Sequence, residues 1–220
     1  SEACKNTWNK KFTKEILDRN KIKTPVSLDI IFNKQIVSNG LQVSPFDRFR
    51  PFDYIFLKPQ EDGSSVDIFK ISDDRSLKEA FQKCVYPNRK FIFEEFINGR
   101  EFTVTIIDNE CLPPIEIICK NDFYDYDAKY LSDDTILKQA NLNSNELEEI
   151  KMTSIKAFNA LNCSAWGRVD LIQCSKTREF YVIEINTVPG MTSHSCVPKS
   201  ASFIDLSYVE VVEKIIDAST

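Results

Sequence analysis

The chain has 220 residues, enough for one large domain or two small ones, and its 42% hydrophobic content supports a packed core rather than disorder. Its 28 basic residues stand against 33 acidic ones, so no positive surplus exists to neutralise a nucleic-acid backbone, although a small anionic ligand needs only a few placed lysines. The seven cysteines contain no Cys-x-x-Cys pair, and no apolar run is long enough to span a bilayer; zinc ribbons, disulfide frameworks and membrane spans are excluded, and a cytoplasmic protein with reduced thiols is expected.

Trp8, Phe12 and Ile16 recur every four residues and predict an amphipathic helix that stops before Pro25. Residues 54–58 and 66–71 read as strands, with Asp62-Gly63 in the loop between them. Ser76 and Glu79 match a capping box, opening a helix whose stripe is Leu77, Ala80, Phe81, Cys84 and Val85. Residues 90–97 and 102–107 read as a hairpin around Asn98-Gly99, and 115–119 as a short strand. The stretch 121–143 is polar, rich in Asp and Tyr, and long for a loop inside a domain, which suits a mobile lid. Ser144 starts a helix carrying Leu147, Ile150, Ser154, Phe158 and Leu161. Strands 167–174 and 180–186 follow, then a loop with Pro189-Gly190 and a last helix near 206–217. Strands and helices are interspersed, which predicts an α+β fold. The first residue is Ser1 and a helix starts almost at once, so the chain is expected to be a fragment or a processed form.

Chemistry is most legible in 167–186. Side chains alternate along a strand, so Arg168 and Asp170 share one face, and Glu184 and Asn186 share one face of the next strand. A turn symmetric about Thr177 sets Asp170 opposite Glu184 and Arg168 opposite Asn186. Facing carboxylates repel unless a cation lies between them, and oxygen ligands without His or Cys select a hard ion such as magnesium. The competing reading is a solvated strand face with both acids in water. Lys58, followed by Asp62-Gly63-Ser64-Ser65, could form a phosphate cradle or an ordinary Asp-Gly turn; no Walker A sequence is present. His194, the one histidine, reads as a surface residue.

Several stretches, in this order, resemble the ATP-grasp part of the D-alanine–D-alanine ligase family. They are Leu57-Lys58-Pro59 with Asp62 to Val66; Gly99-Arg100-Glu101-Phe102-Thr103-Val104; Tyr124 to Tyr130; Gly167-Arg168-Val169-Asp170; and Glu184-Ile185-Asn186 through Ser195. The resemblance covers nearly the whole chain. It implies two α+β subdomains, 1–92 and 93–220, with the nucleotide between them, and it implies that the family's N-terminal domain is absent.

It also implies roles. Lys10 and Lys58 match lysines that hold ATP phosphates, and Ser64 lies in the loop that folds over them. Glu94, Glu95 and Ile97 fall on the strand bordering adenine, and Glu101 matches the ribose contact. Lys129 matches a lysine reaching the phosphates from a mobile loop, beside Tyr130. Asp170, Glu184 and Asn186 match ligands of magnesium, with manganese as an alternative. Arg168 and the Gly190 N–H match groups that stabilise the tetrahedral centre; Ser195 and Cys196 match the second substrate's site, where the family commonly has Leu at the position of Cys196. The implied activity is ATP-dependent ligation of two D-alanines through an acyl phosphate, for peptidoglycan precursors, with small-molecule partners and a homodimer as the assembly left open. A ligase for another amino-acid pair and a nucleotide-binding fragment without turnover are the alternatives.

Overall fold

The computed structural model describes residues 1–31, 54–61, 66–85, 89–118 and 135–220. Two antiparallel sheets organise these residues, and each is faced by alternation of apolar and polar side chains. The elements in chain order begin with α1 (Glu2–Trp8), α2 (Lys10–Arg19), β1 (Ser27–Ile31), β2 (Ile55–Pro59), β3 (Phe69–Ile71), α3 (Asp74–Lys83) and β4 (Lys90–Glu95). They continue with β5 (Gly99–Ile107), β6 (Glu110–Cys111), β7 (Ile115–Ile118), β8 (Ile136–Gln139), α4 (Ser144–Ala160), β9 (Trp166–Cys174), β10 (Phe180–Asn186), α5 (Cys196–Ser202) and α6 (Tyr208–Ser219).

The first sheet has the order β1-β4-β2-β3. Ile55, Leu57, Phe91 and Phe93 turn one way and pack with Leu77 and Ala80 of α3. The alternate positions, Lys58 and Glu94, therefore turn to the other face. The second sheet has the order β10-β9-β5-β7-β8, with β6 on β5. Phe102, Val104, Ile106, Val169, Leu171, Val182 and Ile185 form its main core with Ile150 and Phe158 of α4, and Leu17 of α2 joins the same cluster.

Several expectations change. The 90–97/102–107 hairpin does not form: β4 pairs with β1 and β2, whereas β5 pairs with β6, β7 and β9. Asn98-Gly99 is a crossing between sheets, where the Asn98 carbonyl accepts from Ser175 N at 2.8 Å. The expected 92/93 division falls inside β4, and the change of sheet comes at residues 96–98. The N-terminal helix is two helices, because extended Asn9 breaks it and caps α2 through Phe12 N at 3.2 Å. Its predicted apolar stripe is mostly outward: Trp8 and Phe12 are exposed, while Thr13, Lys14 and Leu17 are buried. The α3 capping box is Asp73 with Ser76, one turn earlier than Ser76 with Glu79. The α4 cap is Asn143 with Glu146. Part of the polar stretch 121–143 is strand β8, held to β7. β1 and α5 had no expectation.

Gly99 has a steric role. A Cβ there would lie 1.9 Å from the Gln173 carbonyl oxygen of β9. Gly99→Ala must push β5 from β9, and such overpacking costs about 1–3 kcal/mol. A lowered urea midpoint is expected; an unchanged midpoint would contradict this packing account.

Candidate active site

The face of the six-stranded sheet turned away from α4 carries polar side chains at successive strands: Thr103 and Thr105 on β5, Arg168 and Asp170 on β9, Glu184 and Asn186 on β10. Asp170 pairs with Glu184 and Arg168 with Asn186, the register that spacing predicts. The path to it differs from the symmetric turn. Near the turn Phe180 pairs with Gln173 and Val182 with Leu171; a bulge between Val182 and Glu184 then shifts the register by one. That extra residue lets Val182 and Ile185 both point into the core while Glu184 and Asn186 point away from it.

Asp170 is held from several sides. It accepts from Thr103 Oγ1 at 2.6 Å, Arg168 Nε at 2.9 Å, Arg168 Nη2 at 2.8 Å and Asn186 Nδ2 at 3.1 Å. Burial alone would lower the Arg168 pKa; the adjacent Asp170 carboxylate outweighs it and drives the value up, so Arg168 stays a cation. Thr105 lies opposite Arg168, and its buried hydroxyl has no hydrogen-bond partner among the described residues.

The donor set fits a hard divalent cation: two carboxylates and an amide, all oxygen-bearing, from facing positions of adjacent strands. Among the described residues no group of three or more His, Cys, Asp or Glu could hold a metal. The set is thus two acids and an amide, a pattern suited to magnesium, which keeps substrate and water oxygens for the rest of its shell.

A cleft of about 330 Å³ opens between the N-terminal helices and β10, lined by Cys4, Thr7, Trp8, Lys10, Glu184 and Asn186 among others. Lys10 and two of the three candidate cation ligands therefore share a concavity. Trp8, expected in a core stripe, lines it instead. The α2 N-terminus is pinned there by Lys10 N donating to the Gln60 carbonyl at 2.8 Å and Asn9 Nδ2 to Glu61 Oε1 at 2.8 Å.

Lys58 and Glu94 lie together on the four-stranded sheet. Glu94 is buried and ion-paired to Lys58 through one oxygen and to Lys14, at 2.8 Å, through the other. Burial alone would raise the Glu94 pKa; Lys14 and Lys58 reverse that and bring it to about 2. Burial pushes the Lys14 pKa down against the pull of Glu94.

The other predicted residues are dispersed. Glu95 is tied to Val26, accepting its N–H at 3.0 Å through Oε2. Ile97 is buried, and Glu101 stands opposite Ile117 and Ile172. Gly190 approaches Ser195: a Cβ at Gly190 would be 2.8 Å from Ser195 Oγ, which also bonds Thr192. Cys196 is buried with Ile115 and Ile117. His194 is exposed. Ser64, Lys129 and Tyr130 lie outside the described residues, as do Asp62-Gly63 and the 124–130 stretch. Sequence reading missed Thr103 and Lys14. Strand alternation from Asp170 across to β5 could have found Thr103 had the β5–β9 pairing been known; nothing marked Lys14 among the solvated lysines of its helix.

The family model described as D-ala D-ala ligase C-terminus matches residues 51–217. A D-alanine–D-alanine ligase of Marinomonas sp. (strain MWYL1) is 35% identical over 218 residues, which is 97% of this chain but 65% of the relative. The Bacillus anthracis D-alanine–D-alanine ligase structure superposes with a TM-score of 0.82 at 30% identity, over 99% of this chain and 68% of that one. The same ligase complexed with ATP gives a TM-score of 0.80 at 26% identity, over 99% and 67%. The chain thus spans about two thirds of the length of these proteins.

Two outcomes follow from this geometry. Thr103→Val keeps the shape and removes the 2.6 Å bond to Asp170, so a loss of about 1–3 kcal/mol is expected in urea unfolding; no loss would mean the bond is not formed. The lowered Glu94 value makes its ionised form stabilising. That contribution is complete above the ordinary value of 4.5 and is lost as pH falls toward about 2. Wild-type stability should therefore fall more steeply over that window than that of Glu94→Gln. Parallel curves would contradict the buried ion-pair assignment.

Proposed function

Because the chain belongs to the D-alanine–D-alanine ligase family, we propose that it forms the nucleotide-binding and catalytic part of an ATP-dependent ligase joining two D-alanines. The reaction serves peptidoglycan precursor synthesis in the cytoplasm. The observation that carries the reading is the facing pair Asp170 and Glu184, with Lys10 lining the same cleft as Glu184. No helix among the described residues is long and apolar enough to cross a membrane.

The first D-alanine carboxylate attacks the γ-phosphorus of ATP; the bond to the bridging oxygen breaks, releasing ADP and leaving an acyl phosphate. The amine of the second D-alanine attacks the acyl carbon, loses a proton, and inorganic phosphate departs with the bonding pair. The products are the dipeptide, ADP, phosphate and a proton. Magnesium held by Asp170, Glu184 and Asn186 would neutralise phosphate charge during the transfer. Lys10 and Lys58 orient the phosphates as point charges. Arg168 and the Gly190 N–H stabilise the oxyanion formed at the acyl carbon. Thr103 fixes the Asp170 carboxylate through its short bond, so the acid needs little rearrangement to bind. Glu94 and Ile97 border the adenine, Glu101 takes the ribose, and Ser195 beside Gly190 receives the second carboxylate. Ser64, Lys129 and Tyr130 act from the loops that cover the nucleotide.

The test is ADP release with ATP and magnesium, with and without D-alanine, from this chain in a protein that also carries the family's N-terminal domain. D-alanine-dependent release is expected. Glu184→Gln should lower it about 100-fold or more while the circular dichroism spectrum is unchanged. Wild-type turnover by that variant would remove Glu184 from the reaction. ADP release that ignores D-alanine would reject the ligase reading.

A further inference from the structure

Lys14 is buried on α2, one helical turn after Lys10. Its ammonium is saturated: it donates to Thr24 Oγ1 at 3.0 Å and the Pro25 carbonyl at 2.9 Å, and pairs with Glu94 Oε2 at 2.8 Å. Three donors meet three acceptors, the full complement of an ammonium. Lys58 differs. It is also buried, ion-paired to the other oxygen of Glu94 and set over the Phe56 ring at 5.1 Å, with no further hydrogen bond among the described residues. Two ammoniums share one carboxylate, so one positive charge is uncompensated within the cluster. The exposed Asp18, on the turn after Lys14, adds a more distant attraction.

An excess buried charge is unfavourable unless an opposite charge comes to meet it. Lys14 has no donor left to offer, so the excess can be expressed only at Lys58. We propose that Lys14 is a positioning residue: by holding one oxygen of Glu94 through Thr24 and Pro25, it stops that carboxylate from neutralising Lys58 and leaves the Lys58 ammonium charged toward a nucleotide phosphate. This rests on the nucleotide-binding reading above. Without Lys14 the pair Glu94–Lys58 is neutral, and both carboxylate oxygens can close on the one ammonium. Phosphate then loses an electrostatic partner, while Ile97 and Glu101, the other nucleoside contacts of the proposed function, are untouched, so ADP is weakened more than adenosine.

The discriminating measurement is affinity for ADP and for adenosine by titration calorimetry, adenosine being read by competition against ADP. Lys14→Met is expected to weaken ADP about tenfold, the size of one charge-assisted hydrogen bond, and to leave adenosine within about twofold. Adding Glu94→Gln restores the uncompensated charge on Lys58, so the double variant should recover the wild-type ratio of ADP to adenosine affinity. A merely structural role predicts the opposite: equal weakening of both ligands, and a double variant no better than the single. Either of those results overturns the proposal. If Lys14→Met fails to fold, the double variant, which removes the buried pair together, carries the comparison, and a ratio below wild type overturns it. Wild-type protein that binds no ADP would reject the nucleotide reading itself; wild-type binding with an unaltered Lys14→Met ratio would reject the role of Lys14 alone.

Discussion

Two acids facing each other across adjacent strands repel, and the six-stranded sheet nonetheless sets Asp170 opposite Glu184. The surrounding structure is arranged around that constraint. Thr103, Arg168 and Asn186 all donate to Asp170, so its charge is compensated and its rotamer fixed. The bulge in β10 is what directs Glu184 to this face; without it the core positions Val182 and Ile185 could not both be buried with Glu184 turned outward. Core packing and site geometry are thereby set by the same irregularity, since any residue that removed the bulge would turn either an isoleucine or a glutamate the wrong way.

The four-stranded sheet presents the inverse charge pattern. There one buried carboxylate, Glu94, lies between two buried ammoniums. One sheet thus carries a net negative charge, Asp170 and Glu184 against the single cation Arg168, and the other an excess positive charge. A polyphosphate with a divalent cation is a ligand that answers both, because its cation seeks the acids and its oxygens seek the lysines. In such buried settings each charge interaction is stronger than at a solvated surface, and each unpaired group is correspondingly more costly.

Much of this was legible in the residues. The Asp170–Glu184 pairing was expected from strand alternation together with an assumed symmetric turn, and that turn reached the right register only because a bulge corrected it. The last helix and the two strands before it were likewise readable from their patterns. The N-terminal stripe misled because apolar period does not say which face meets the core: Thr13 and Lys14 are buried, with hydrogen bonds satisfying them, while Phe12 is exposed. Asn98-Gly99 misled because a glycine demanded by close backbone approach looks the same as one demanded by a turn. Thr103 and Lys14 could not be read, since their partners lie 67 and 80 positions away (Asp170 and Glu94) and only the tertiary fold brings them together.

The central claim is that Asp170 and Glu184 hold a divalent cation against the nucleotide. Titrating manganese into the full chain with saturating ADP, and following the free ion by electron paramagnetic resonance, measures this directly. The account predicts that wild-type protein with ADP removes manganese from solution well beyond what ADP alone binds, and that Asp170→Asn and Glu184→Gln each abolish the excess while keeping the folded spectrum. Equal manganese uptake by wild type and both variants would contradict it.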